Sequence, residues 1–287
     1  MKYLFVLGLS LGFLTVRSQN LHADLFGGIA NYQGDLQEKI FTFNMAHPAV
    51  GFGLAYDVSG RLIARTGLTY GTVEGNDKNN SRDKGIQQRN LSFKTHITEL
   101  HAGLEFNLFD LSVRSFTPYI FAGVAVYHYN PFTFDSAGNK VFLKPLSTEG
   151  EGLPQYPDRK PYNLTQLSLP VGGGLKIELS DNLEISGEIA WRKLFTDYLD
   201  DVSKTYVDQN VLLAAKGPQA VSLAYRGNEI GSGPYPADGT MRGNSKHMDW
   251  YYFGGLRLRY RLNSGNGWGG GGHGGGKSKT GCPGRIY

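Results

Sequence analysis

The stretch from Trp250 to Leu262 limits what this chain can fold into more than any other. Trp250, Tyr252, Leu256, Leu258, Tyr260 and Leu262 fall on one side of an extended strand, and Arg257, Arg259 and Arg261 on the other. Side chains of a β-strand point to opposite faces in turn, so this segment needs an apolar medium on one side and a polar one on the other. A soluble sandwich and a membrane-spanning barrel both offer that, and the choice rests on the whole set of strands.

Period-two patterning predicts eight strands, near residues 21–32, 48–56, 61–73, 91–108, 117–129, 164–179, 183–195 and 249–262. Several match the length a tilted strand needs to cross a bilayer. The outward face reads Val50, Phe52, Leu54 and Tyr56 in the second, and Leu167, Leu169, Val171, Leu175 and Ile177 in the sixth. In the seventh it reads Leu183, Ile185, Ile189 and Trp191. In the fourth strand the phase shifts between Phe93 and Leu100, which predicts a β-bulge or a shorter strand. The fifth, YIFAGVAVY, is apolar on both faces and has no assignable phase.

The connections alternate in length. DVSGR, FDLSVRSF and SDN are short, whereas those around 33–47, 74–90, 130–163 and 197–248 are long. Bacterial outer-membrane barrels keep short turns in the periplasm and long loops outside. The expected fold is therefore all-β: an eight-stranded antiparallel transmembrane β-barrel spanning 19–263, with short periplasmic turns, long extracellular loops and both termini periplasmic.

The ends of the chain fit that location. Lys2 and the apolar run from Tyr3 to Val16 read as a secretory signal over 1–18, too short to cross a bilayer. Beyond it no apolar run approaches the roughly 20 residues of a membrane helix, which leaves a closed barrel as the way to span. A net charge of +4 and a charged fraction of 19% do not point to nucleic acid. The 40 glycines, 17 tyrosines and 16 phenylalanines suit β structure.

Charges of both signs fall in the inward phase: Asp24, Glu99, Glu105, Glu184 and Glu188, with Lys176, Arg192, Arg257, Arg259 and Arg261. An eight-stranded barrel is just wide enough for its own side chains, so these groups are expected to pair across the lumen and leave no wide pore.

Residues 264–287 form a glycine-rich periplasmic tail. Gly271–Ser278 matches G-x-x-x-x-G-K-S, with Lys277 and Ser278 at the phosphate and metal positions. Only nine residues follow, among them Gly281, Pro283 and Gly284, so the helix that gives the motif its chemistry has no room. The tract reads as a linker, and a flexible tail of about 24 residues reaches about 25 to 30 Å. A lone His273 is a weak metal ligand. Cys282, the single cysteine, has no intramolecular partner. In an oxidising compartment it is either half of an intermolecular disulfide or an inert thiol.

The segment RKLFTDYLDDVSKTYVDQN carries Asp197, Asp200, Asp201 and Asp208. They lack the spacing of a calcium loop, and the simpler expectation is a hydrated acidic surface, with calcium as the alternative. H-E-x-x-H is absent, the G-x-S-x-G at Gly8–Gly12 lies within the expected signal segment, and nothing singles out His96 or His101 with the serines as an enzyme site. No cofactor is expected.

The acidic segment FTDYLDDVSKTYVD at 195–208, with Asp197, Tyr198, Asp200, Asp201 and Asp208, resembles the PorG family of the type IX secretion system. So do HADLFGGIANYQGDL after the signal, PYIFAGVAVYHYNP in the middle, and the Cys282–Pro283 pair near the end. A glycine-rich insertion before Cys282 departs from that pattern. The resemblance implies a non-enzymatic outer-membrane barrel associated with a periplasmic ring of a PorK-like lipoprotein and a PorN-like protein. Cys282 and Pro283 are then candidate contacts with that ring. A small-molecule or ion channel is the second expectation and a lipid-modifying enzyme the third.

Overall fold

Eight long strands pair in chain order and close on themselves. The computed structural model describes residues 20–37, 42–79, 84–111 and 114–262. The strands are β1 (Leu21–Gln33), β2 (His47–Asp57), β3 (Leu62–Asn76), β4 (Ser92–Asn107), β5 (Phe116–His128), β6 (Phe132–Phe134), β7 (Lys140–Phe142), β8 (Thr165–Ser180), β9 (Leu183–Leu194) and β10 (Trp250–Arg261). Three short helices lie between strands: α1 (Lys84–Arg89), α2 (Gln209–Lys216) and α3 (Pro218–Ala224). The expected signal segment 1–18 and the tail 264–287, with Cys282, Pro283 and the glycine run, lie outside the described residues.

β1 pairs antiparallel with β2 and with β10, and the circuit runs on through β3, β4, β5, β8 and β9. Closure satisfies the backbone groups of every strand within the sheet, which a membrane interior requires. The hairpin of β6 and β7 is an outgrowth of the loop after β5. The eight barrel strands match the expected ranges; the largest difference is in β3, which continues past Val73 to Asn76.

Outside, the barrel carries an apolar belt. Phe52 is 57% exposed, Leu100 59%, Ile120 59%, Leu167 61% and Leu256 60%, and these residues come from five different strands. An apolar surface encircling the whole molecule is far larger than a soluble monomer leaves in water, so the belt faces lipid. Tyr70, Trp191 and Trp250 lie toward the upper rim and Tyr56 and Tyr260 toward the lower, in the interfacial positions such rings favour.

Two sequence expectations change. β4 has no bulge between Phe93 and Leu100: its register against β3 runs unbroken from Ser92↔Asn76 to Phe106↔Leu62. Phe93 and Ile97 point inward because the barrel is apolar inside at that level, while Leu100 and Leu104 point to lipid. A register shift occurs instead in β8, between Glu178 and Ser180. β5 has a definite phase, with Ile120, Val124 and Val126 outward and Tyr119, Phe121 and Tyr127 inward.

The long loops are folded. Leu143, Leu153, Tyr162, Leu199, Val202, Val207, Leu212 and Leu223 are buried in one apolar cluster with the inward residues Tyr32, Phe93, Ile97, Tyr127, Tyr251 and Phe253. Each such side chain contributes on the order of 1.5–3 kcal/mol by leaving water. Loops 129–164 and 195–249 therefore form a cap whose core is continuous with the upper third of the lumen. Asp208 starts α2 by accepting the amides of Asn210 and Val211, and Pro218 opens α3, where a missing N–H costs nothing.

Candidate functional site: a filled lumen under a buried acidic cap

Below the apolar plug the lumen is crossed by ion pairs. Arg259 on β10 donates through Nε to Asp24 Oδ1 on β1 (2.8 Å) and through Nη1 to Glu105 Oε1 on β4 (3.1 Å). Arg257 holds Glu188 on β9 (Nη2 to Oε1, 2.6 Å), and Arg65 on β3 reaches both Glu188 (3.2 Å) and Glu105 (3.3 Å). Lys176 on β8 donates to Glu105, and Tyr119 to Glu188 Oε2 (2.9 Å). One layer higher, Arg192 makes a two-pronged contact with Glu99 (2.9 and 2.8 Å), which also accepts from Tyr251 (2.6 Å). The guanidiniums stack on rings too, Arg65 at 4.3 Å from Phe121 and Arg192 at 4.5 Å from Phe253. Period two places every one of these groups inward, and the narrow barrel brings opposite walls within reach of one arginine.

Of the lumen residues expected to pair, Glu188, Arg257 and Arg259 sit at the centre of this network. Glu184 is at its lower margin, 3.6 Å from Lys176 and 3.8 Å from Arg259. Arg261 is a correction: it leaves the network for the short-turn end, lines a recess of about 580 Å³ there, and its Nε has no hydrogen-bond partner among the described residues. At that level the carboxylates around it belong to the open recess and not to the closed layers of the lumen. Arg65 went unread: it has the inward phase and faces Gly103, diagonal to Glu105 (which faces Ile63), but no second charge of that phase on its own strand marked it.

The acidic segment is the larger correction. It is buried, not hydrated: Asp197 is 4% exposed, Asp200 1% and Asp201 1%. Tyr32 at the top of β1 places its hydroxyl 2.5 Å from Asp200 Oδ2 and 3.1 Å from Asp249 Oδ1. The far oxygens of those carboxyls accept the amides of Val202 and Leu199. Asp201, in the left-handed region at φ 68°, accepts from Thr148 (2.6 Å) and Tyr162 (2.7 Å). Tyr198 stacks on Tyr162 at 5.0 Å. Glu149 gathers the amides of Ser203 and Lys204 and pairs with Arg242 at 3.0 Å. Asp77 pairs with Arg89, whose guanidinium also donates to the carbonyls of Asp35 and Arg242. Asp208 is a helix cap and stands apart from the other three.

Burial dominates the protonation of this cluster. It pushes Asp197 up to about 8, helped by the charges of Asp35 and Glu149 and opposed by Ser203. Asp200 and Asp249 are raised well above the carboxylate range by burial and by nearby carboxylates. Glu151 rises to about 8 and Asp201 to about 6, again from burial first. Burial thus favours the protonated form of these carboxyls, beside the ion pairs made by Glu149 and Asp77. Asp197, Asp200, Asp201 and Asp208 do not converge on one point, and among the described residues no three acidic, His or Cys side chains are placed to share a metal ion. His96 faces outward against Tyr70 and Phe132, and His101 faces inward beside Glu99, so the two imidazoles are on opposite sides of β4.

An apolar outer belt, a lumen stitched by ion pairs and a folded cap define a membrane-spanning eight-stranded β-barrel closed through its middle. Residues 1–142 match a domain of unknown function (DUF6089), just under half of the chain. No curated protein matches. Among solved structures, Neisserial surface protein A is 8% identical with a TM-score of 0.41, covering 84% of this chain and 96% of that one. The attachment invasion locus protein Ail of Yersinia pestis is 9% identical at 0.39, covering 84% and 98%. The outer membrane protein OprG of Pseudomonas aeruginosa is 10% identical at 0.39, covering 85% and 97%. The fold rests on the strand pairing itself.

Proposed function

We propose that this protein is a non-enzymatic outer-membrane component of a type IX protein secretion machinery, anchoring a periplasmic ring of PorK-like and PorN-like proteins to the membrane. The observation that carries the anchor reading is the filled lumen. Arg65, Lys176, Arg192, Arg257 and Arg259 are all engaged with carboxylates from opposite walls, which makes a stiff, sealed cylinder. The secretion assignment rests on the resemblance of 195–208 and of the segments around it to the PorG family.

In this reading the cap faces outward, and the turns after β2, β4 and β8 face the periplasm with the continuation of β10. The recess at that end is lined by Asp57, Asp110, Glu178, Asp181 and Glu184, with Arg261 as its counter-charge, and presents an acidic face to a partner. Cys282 and Pro283 follow β10 on the same side and supply a second contact, through a disulfide where the partner offers a thiol.

The test is affinity purification of the full-length protein from its native membrane, with conductance measured in planar bilayers. Ring proteins recovered with the barrel, and no ion conductance, are the expected results. A steady conductance without ring proteins would replace the anchor with a channel.

A further inference from the structure

The geometry points to a seat for the phosphate-bearing headgroup of a membrane lipid, at the cap end where the apolar belt stops. It depends on the barrel lying in a bilayer and not on the secretion reading. A cavity of about 1020 Å³ opens there, within the range that holds a substantial ligand. Its floor is the rim of three adjacent strands, where Gln33 on β1 pairs with Trp250 on β10 and Trp250 with Lys193 on β9. The 241–250 segment forms a wall.

Its position argues for an amphiphile. Lys193 and Trp250 belong to the outward phase, the one that carries Ile189, Trp191, Leu256 and Leu258 along the belt. The cavity therefore meets the outer surface where acyl chains end and headgroups begin. Met241 and Met248 remain 75% and 40% exposed beside it, an apolar lining that a small soluble anion would not use.

Charge argues for phosphate. Four lining residues are cationic, Arg89, Lys193, Arg242 and Lys246, against one carboxylate, Asp35. Arg89 and Arg242 are already committed to Asp77 and Glu149. The ammoniums of Lys193 and Lys246 have no ion-pair partner among the described residues, and that of Lys193 lies 5.6 Å from the Trp250 ring. Two unneutralised lysines, an indole and two methionines at the membrane boundary are complementary to an anionic headgroup with its chains running down the barrel wall.

The test uses the full-length protein in detergent micelles, titrated with bisphosphorylated lipid A and followed by Trp fluorescence, beside K193Q/K246Q. Inorganic phosphate and neutral phosphatidylcholine are separate arms. Lipid A should bind saturably, and the double variant should weaken it about thirtyfold, the factor two interfacial lysines supply. Both ammoniums lie at the surface, so the variant should keep the heat-modifiable mobility of a folded barrel. Equal lipid A binding by the folded variant would overturn the proposal. So would equal affinity for phosphatidylcholine, or free phosphate binding as tightly as the lipid.

Discussion

The hydroxyl of Tyr32 stands 2.5 Å from Oδ2 of Asp200, joining the top of β1 to a loop 168 residues further along the chain. The same hydroxyl is 3.1 Å from Asp249 Oδ1. One O–H donates one proton, so two carboxyls gathered on it are stable only when a carboxyl proton is shared among them.

The pH dependence follows. Asp197, Glu151, Asp200 and Asp249 have folded-state values above those of the unfolded chain. Between the two values the folded cap holds protons that the unfolded segment releases, so stability falls as pH rises. For Asp197 and Glu151 the window runs from about 4 to about 8, where their folded values lie. Arg89 and Arg242 temper the loss without removing it. The protection factors of 197–207, taken relative to the intrinsic base-catalysed rate at each pH, should be high at pH 5 and markedly lower at pH 9, while those of the barrel strands stay high. Equal protection at both values would show that these carboxyls do not change protonation across that range.

Tyr32→Phe removes the shared donor and leaves two buried carboxyls short of a partner, at about 1–3 kcal/mol for each. Gly34→Ala should open the same joint sterically. A Cβ there would fall 1.9 Å from Asp249 Oδ1 and 2.1 Å from Tyr32 Oη, both pinned by other contacts. In each variant limited proteolysis should cut the 195–249 loop sooner, with the barrel still heat-modifiable.

Glu105 and Arg261 divide the lumen into what holds it and what does not. Glu105 is fully buried and serves Arg65, Lys176 and Arg259. Glu105→Ala removes the carboxylate these three cations share, leaving Arg65 on Glu188, Arg259 on Asp24 and Lys176 with Glu184 at 3.6 Å, and should cost about 3–5 kcal/mol in urea unfolding. Arg261→Ala, at the lower recess, should stay within about 0.5 kcal/mol. Similar losses in the two variants would refute the division.

The readable parts of this protein are those with a period. Arg257 and Arg259 could be placed in the lumen because alternation fixes the side of every residue on a strand, and a narrow barrel then decides what they meet. Arg65 has the same phase but stands alone among small and polar neighbours in LIARTGLTYGTV, so no pattern marked it. The cap pairs Tyr32–Asp200 and Arg242–Glu149 join distant stretches through folded loops, which carry no period at all. The aspartates of 195–208 looked hydrated because loop acids usually are. The contrary signal was the interleaving of Tyr198, Leu199, Val202, Tyr206 and Val207, more apolar surface than an exposed loop would carry.

Asp201 combines two demands that substitutions can separate. Its φ of 68° is the left-handed region, which costs an ordinary side chain about 1 kcal/mol or more and which Asn tolerates nearly as well as Gly. Its carboxyl also accepts from Thr148 and Tyr162. Asp201→Asn keeps the backbone and one acceptor and should be mildest. Asp201→Gly keeps the backbone but strands both hydroxyls, and Asp201→Ala loses backbone and acceptors together. Protease resistance of the cap should therefore fall in the order Asn, Gly, Ala. If Gly proved the mildest, backbone strain would outweigh the hydrogen bonds; if Ala matched Gly, the left-handed turn would contribute nothing measurable.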